Sequence, residues 1–209
     1  MTGRIVETER DIAEGAAWLA AREPRFAHVV TICGPLPLRR RAGGFAALLK
    51  AIVAQQLSVA SAGAIWQRLE AAGLTEPQIL LQAGDETLRA CGLSRPKIGY
   101  ARALAEAGLD FDALARLPDA QVIETLVAIR GIGRWTAEIY AMFSLGRADV
   151  FAPADLALQE SARLLFDLPE RPGERQLRDM AAPWSPWRGV AARALWAYYR
   201  HCKNKEGSL

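Results

Sequence analysis

Residues 126–156, LVAIRGIGRWTAEIYAMFSLGRADVFAPADL, constrain what the chain can fold into more than any other stretch. Pro118 opens an apolar run in which Val122, Ile123, Leu126, Val127 and Ile129 recur one helical turn apart. Asp119 lies in the first turn, where a carboxylate suits the helix dipole. The spacing predicts an amphipathic helix ending near Arg130. Gly131 and Gly133 flank Ile132, so the backbone can reverse sharply and expose its amides, and Trp135, Ile139, Met142 and Phe143 then resume a helical period. The stretch reads as helix, tight hairpin, helix. A dinucleotide-binding turn would need a strand before it and a glycine where Thr136 stands, which sets that alternative aside. Downstream, two residues after Pro153, stands the carboxylate Asp155, whose plainest role is to cap a helix over 156–166.

The remaining chain reads as more helices. Thr8 can cap a helix through about Arg22 with Ile12, Ala16, Leu19 and Ala20 on one face, and Pro24 opens a second segment through Cys33. Residues 29–32, VVTI, are β-branched and suit a short strand as well. Three adjacent arginines, Arg39, Arg40 and Arg41, read as a solvated charge run before they read as a phosphate contact. After Gly44 a core-facing helix carries Leu48, Leu49, Ile52 and Val53 into the corner Gln55, Gln56, Leu57, Ser58, and Ser58 caps the next helix with Ala62, Ile65, Trp66 and Leu69 inward. Two short helical segments lie near 79–83 and 86–90. Residues 92–94 then cap a helix with Ile98, Ala101, Leu104 and Ala105 inward and Arg95, Lys97 and Arg102 on its outer face. Helices are also expected at 176–182 and 187–199. With no internal repeat and no convincing strand pair, the class is all-α.

Composition bounds the function. The 209 residues, 51% apolar, can bury one good core or two small ones. A net charge of +3 excludes a diffuse basic tail while allowing a local basic face. Cys33, Cys91 and Cys202 are far apart and odd in number, which points to reduced thiols in a cytosolic compartment. Arg4, Glu7, Glu9 and Arg10 leave no room for an apolar leader, and no apolar run approaches membrane-spanning length, so an untargeted soluble chain is expected.

Several blocks carry a family resemblance. Residues 129–140 with Phe151, Pro153 and Asp155 resemble the helix-hairpin-helix and Gly/Pro/Asp signature of the DNA glycosylase superfamily, closest to its 3-methyladenine DNA glycosylase II branch. Residues 52–58 (IVAQQLS), 95–102 and 184–196 resemble further blocks of that branch in the same order. The chain departs from it at Arg130, where the hairpin usually has proline, at Pro96, usually basic or polar, and at Ile139, usually a pocket aromatic.

The resemblance implies an all-α glycosylase unit over 1–209, with lobes at about 35–145 (hairpin at 118–146) and at 1–34 plus 146–209 flanking a DNA-binding cleft. It implies that Gly131, Ile132, Gly133 and Arg134 hold the DNA backbone together with Arg95 and Lys97, and that Gln56, or else Leu57, fills the gap left by an extruded base. Carbonyls of Val127, Ile129 and Ile132 would hold Na+ or K+. No other cofactor is expected, and no iron–sulfur cluster, since Cys202 stands alone near the C-terminus.

Of the six tryptophans, Trp135 and Trp196 would line the base pocket while Trp18 and Trp66 look like core. Asp155 would stabilise the sugar cation and activate water. A cationic alkylated purine needs no protonation to leave, so one carboxylate suffices where glycoside hydrolases use two. Bifunctional relatives have a lysine where Trp135 stands, so the implied enzyme is monofunctional. Its implied partner is damaged double-stranded DNA and not a membrane, with the protein a monomer in the cytoplasm at the nucleoid. The alternative is a non-catalytic helix-hairpin-helix module that grips DNA for another protein. Such a grip needs neither Asp155 nor the pocket tryptophans.

Overall fold

A computed structural model describes residues 3–206; residues 1–2 and 207–209, the ends of the expected lobes, lie outside the described residues. Helix α1 (Glu9–Arg22) starts at Thr8 through a capping box: the Thr8 hydroxyl accepts the Asp11 amide, and the Asp11 carboxylate accepts the Thr8 amide at 2.9 Å. Glu23 caps α2 (Pro24–Cys33) by accepting the Arg25 amide. Residues 29–32 are therefore helix, not strand. Their β-branched preference is outweighed by burial, since the face carrying Phe26 and Val29 is sealed as α2 packs on the C-terminal helix.

Next come α3 (Phe45–Ala54), α4 (Val59–Ala71), α5 (Pro77–Gln82), α6 (Asp85–Ala90), α7 (Arg95–Glu106), α8 (Phe111–Arg116), α9 (Asp119–Val127) and α10 (Arg134–Phe143). The chain closes with α11 (Leu156–Leu165), α12 (Glu174–Met180), a 3₁₀ turn at Ala182–Trp184 and α13 (Arg188–Glu206). Among the described residues the only strand-like pairing is an isolated bridge between Ile5 and Arg147. The fold is all-α.

Several boundaries depart from expectation for local reasons. Ser58 accepts the Ser61 amide at 3.2 Å and caps α4, but Ser94 makes no side-chain cap on α7. Pro96 stands second in that helix and has no N–H to give. Helix α8 escapes a periodicity reading because it has only 6 residues, yet Asp110 caps it through the Ala113 amide at 2.9 Å. Helix α9 stops at Val127 rather than near Arg130, because the chain tightens into a turn in which the Ile129 amide reaches back to the Leu126 carbonyl.

The described residues divide into two compact units, one of residues 41–140 and one of residues 3–40 with 141–206. In the first, Leu48, Leu49, Ile52 and Val53 of α3 face α4 and α7, and Leu80 of α5 and Leu88 of α6 close on α7; each is at most 1% exposed. Every such side chain stabilises the unit by about 1.5–3 kcal/mol.

In the second unit α13 is central, packed by α1, α2 and α11 along Ala191, Ala194 and Leu195. Gly15 permits the approach of α1, since a Cβ there would lie 2.6 Å from a Trp187 ring carbon. Trp184 meets Phe26, Phe151 and Phe166 at ring-centroid distances of 5.1, 5.7 and 5.9 Å. Trp66 is core as expected, but Trp18 is only half-buried, with the Arg22 guanidinium 3.8 Å over its ring. Residues 35–40 go with this unit because Arg40 donates to the Ser144 carbonyl at 2.9 Å and Arg193 donates to the Leu38 carbonyl. Arg40 is thus not a member of a freely solvated charge run.

Candidate nucleic-acid interface and active site

In the first unit, the hairpin between α9 and α10 turns at Gly131, whose φ of +96° is left-handed. A Cβ there would also fall on the Tyr100 side chain beneath it, so glycine is required twice over. Gly133 is different. Its φ is not left-handed, and nothing lies within 4 Å of where its Cβ would be, so its smallness leaves open space in front of the first turn of α10. That turn presents backbone N–H groups without intrahelical acceptors, the usual seat of a phosphate. Ile132 is buried at 3% exposure and anchors the turn, while Arg134 is exposed and pairs with Glu138 at 3.1 Å. Trp135, 43% exposed, stands on the same turn.

The corner at residues 55–58 belongs to this unit too. Gln56 adopts a left-handed φ of +57° and is exposed, as are Leu57 at 40% and Val59 at 91%. The basic face expected on α7 is dispersed. Lys97 turns inward and donates to the Val53 and Gln55 carbonyls at 2.6 and 2.7 Å, because the C-terminal carbonyls of α3 lack helical donors. Burial holds its ammonium below the ordinary lysine value. Arg102 is held by Asp85 at 2.8 Å and by the Ala83 carbonyl. Arg95 stays exposed, with no hydrogen bond or ion pair among the described residues. Gln55, which nothing in the sequence sets apart from its neighbour Gln56, donates its side-chain amide to the Gly131 carbonyl at 3.0 Å.

In the second unit, Asp155 is half-buried and caps α11, Oδ1 accepting the Ala157 and Leu158 amides at 3.0 and 3.1 Å. The same oxygen accepts the Trp196 indole N–H at 3.1 Å. Gln159 fixes the preceding turn by donating to the Pro153 carbonyl at 2.8 Å. Trp196 in turn lies against Phe143, ring centroids 5.6 Å apart, and the buried Arg193 guanidinium sits 4.7 Å from the Phe143 centroid while donating to the Gly189 carbonyl. Burial brings the Arg193 pKa down to about 10, helped by the nearby Arg39 and Arg40 charges. The arrangement is a carboxylate aimed by three N–H donors and flanked by an indole. Its orientation is set by more than capping needs.

Residues 49–186 match the HhH-GPD superfamily base excision DNA repair protein family. The chain belongs to that superfamily. Among its HhH-GPD relatives is DNA-3-methyladenine glycosylase 1 of Schizosaccharomyces pombe, 34% identical over 158 residues that make up 71% of this chain and 69% of that one. The crystal structure of a DNA-3-methyladenine glycosidase from Bacillus halodurans superposes with a TM-score of 0.84 at 34% identity, covering 98% of this chain and 95% of that one. The Schizosaccharomyces pombe 3-methyladenine DNA glycosylase in complex with abasic DNA superposes with a TM-score of 0.75 at 29% identity, covering 88% and 95%.

For an HhH-GPD chain, several contributors were hidden in the sequence. Phe143 appears there only as an apolar helical position, Tyr100 as an unremarked residue of α7, and Arg193 as one arginine among many. Tyr140 neighbours the pocket position expected to be aromatic, yet it is 5% exposed and its hydroxyl accepts the Gly44 amide at 2.9 Å, a structural role; Ile139 itself is half-buried. Burial raises the Tyr140 pKa above the ordinary value.

Proposed function

We propose that the protein is a monofunctional DNA glycosylase of base excision repair that removes alkylated purines, of the 3-methyladenine and 7-methylguanine type, from double-stranded DNA. The observation that carries this reading beyond DNA binding is Asp155 Oδ1, which receives the Trp196 indole N–H in addition to the two cap amides. A module that merely grips DNA has no use for an aimed carboxylate beside an indole.

In this mechanism the open first turn of α10, at Gly133, Arg134 and Trp135, meets backbone phosphates without reading sequence. The target nucleotide swings out of the stack at a cost of a few kcal/mol, and Gln56 or Leu57 enters the space it leaves. Trp196, which donates its indole N–H to Asp155, supplies an indole face for the extruded base. A purine carrying a formal positive charge gains about 0.5–2 kcal/mol there that a neutral purine does not. The glycosidic bond breaks as the base departs with the bonding pair, neutralising its own charge. Asp155 stabilises the sugar cation and takes a proton from the water that adds to the anomeric carbon. The products are the free base and an intact abasic site.

Val127 and Ile129 lie where α9 ends, and the carbonyls there lack helical donors. The Ile129 carbonyl accepts the Ile132 amide at 3.0 Å but keeps a second lone pair. With the Ile132 carbonyl these oxygens suit Na+ or K+, which would add positive charge toward a DNA phosphate. No helix among the described residues is long and apolar enough to cross a membrane, and we assign a monomer working in the cytoplasm on nucleoid DNA.

The test is incubation with methylated duplex DNA and chromatography of what is released. Free 3-methyladenine or 7-methylguanine with an uncleaved abasic strand is expected. Borohydride trapping of a protein–DNA adduct would refute the monofunctional assignment, and release of no base would leave only the DNA grip.

A further inference from the structure

The residues around the corner at 55–58 form a frame. Lys97 and Tyr100 lie three positions apart on α7 and so share a face. The first donates to the Val53 and Gln55 carbonyls, and the second fills the space under Gly131, with the Arg130 guanidinium 5.8 Å from its ring centroid. Gln55 closes the triangle by reaching from the corner to the Gly131 carbonyl. Inside that frame Gln56 takes a left-handed φ of +57°, which strains a residue that carries a side chain, and Leu57 is left exposed beside Val59. A lysine meant for phosphate would keep its ammonium in water. Here it is drawn inward onto two carbonyls, with a positive charge at the negative end of α3.

We infer that Lys97 and Gln55 are positioning residues that lash the corner to α7 and to the hairpin, so that the side chains filling the gap behind an extruded base are presented by the same frame that holds the DNA backbone. This rests on the reading of Gln56 and Leu57 as the gap-filling residues. It removes Lys97 from the phosphate contacts and makes extrusion, not binding or bond cleavage, the step these two residues serve.

The full chain is compared with Lys97→Met, Gln55→Leu and the double variant Gln56→Ala/Leu57→Ala, each first checked for folding by its thermal melt. One readout is the salt dependence of affinity for undamaged duplex. The other is single-turnover release of 7-methylguanine, either paired in a duplex or placed in a one-nucleotide bulge, where there is no partner to unpair and no gap to fill.

For Lys97→Met and Gln55→Leu the salt slope should be unchanged. Duplex excision should fall roughly tenfold to a hundredfold, the range that a misplacement of about 1 Å brings, while bulge excision stays close to that of the unaltered protein. A slope lowered by about 0.9 in Lys97→Met, the value of one phosphate contact, with duplex and bulge rates falling together, would overturn the inference. So would full duplex activity in Lys97→Met and Gln55→Leu when the double variant has lost it. Full duplex activity in the double variant would remove the gap-filling reading itself, and the inference with it. Should Lys97→Met fail to fold, Gln55→Leu, which changes no charge, decides by the same duplex-against-bulge comparison.

Discussion

Replacing Asp155 by Asn separates the cap from the chemistry at one side chain. The amide oxygen of Asn can take over the role of Oδ1 toward the Ala157 and Leu158 amides and the Trp196 indole, now at 3.0–3.1 Å. Asn and Asp are nearly equal as N-caps, and the lost interaction with the helix dipole costs about 0.3–1 kcal/mol. The two cap bonds are already counted in that near equality, so only the weakened charge-assisted bond from the Trp196 indole adds to this, for a total of about 1–2 kcal/mol, a minor part of a domain stability of about 5–15 kcal/mol. The variant should therefore fold.

The chemistry loses much more. Removing one preorganised electrostatic stabiliser from a site of developing charge costs about 2.7–4 kcal/mol, or roughly a hundredfold to a thousandfold in rate. The assay is single-turnover release of methylated purines from duplex DNA with enzyme in excess, alongside a thermal melt and a DNA titration. Binding should persist or tighten, since one negative charge near phosphate is gone. A folded Asp155→Asn protein that excises at nearly the normal rate would refute the catalytic assignment and leave Asp155 as a helix cap.

Other outcomes follow from the same geometry. Trp196→Phe keeps a ring against Phe143 but removes the third donor to Asp155 Oδ1; excision should fall about tenfold, in keeping with one lost hydrogen bond to a charged group, with little change in Tm, and unaltered kinetics would show that the indole N–H is dispensable. Gly131→Ala places a side chain at φ +96° and against Tyr100; it should cost about 1–3 kcal/mol of stability and weaken duplex binding, whereas Gly133→Ala should leave stability nearly intact and weaken binding alone, a contrast that melts and titrations of the two would check. The Asp11 carboxyl is held below its ordinary 3.8 by the Thr8 amide first, then by the Glu7 amide and the Thr8 hydroxyl. Because the folded value is the lower one, this contribution is present above the unfolded value and lost as pH falls through the folded one. Asp11→Ala should therefore lower stability by about 1 kcal/mol near pH 7 and by less in acid below the folded value, where the neutral carboxyl accepts these bonds more weakly, and a deficit in urea unfolding that did not shrink there would refute the capping account.

What the sequence determined by itself was whatever depends on neighbours along the chain. Thr8 and Asp11 make their capping box three residues apart, and Asp155 caps α11 through amides two and three residues on. The turn at Gly131 declares itself because only glycine takes that φ cheaply. Such bonds form wherever the chain passes through the same local shape, so residue type and spacing reveal them.

The tertiary structure decided the rest, because its partners are distant in sequence and are chosen by packing. Helix rather than strand at 29–32 follows from the face buried as α2 packs on α13. The indole that aims Asp155 comes from 41 residues away, and the Gln55 amide crosses 76 residues to reach Gly131. Lys97 looks in sequence like part of a basic face. It became a strut because carbonyls 42 and 44 residues upstream needed donors and α7 packs close enough to supply them.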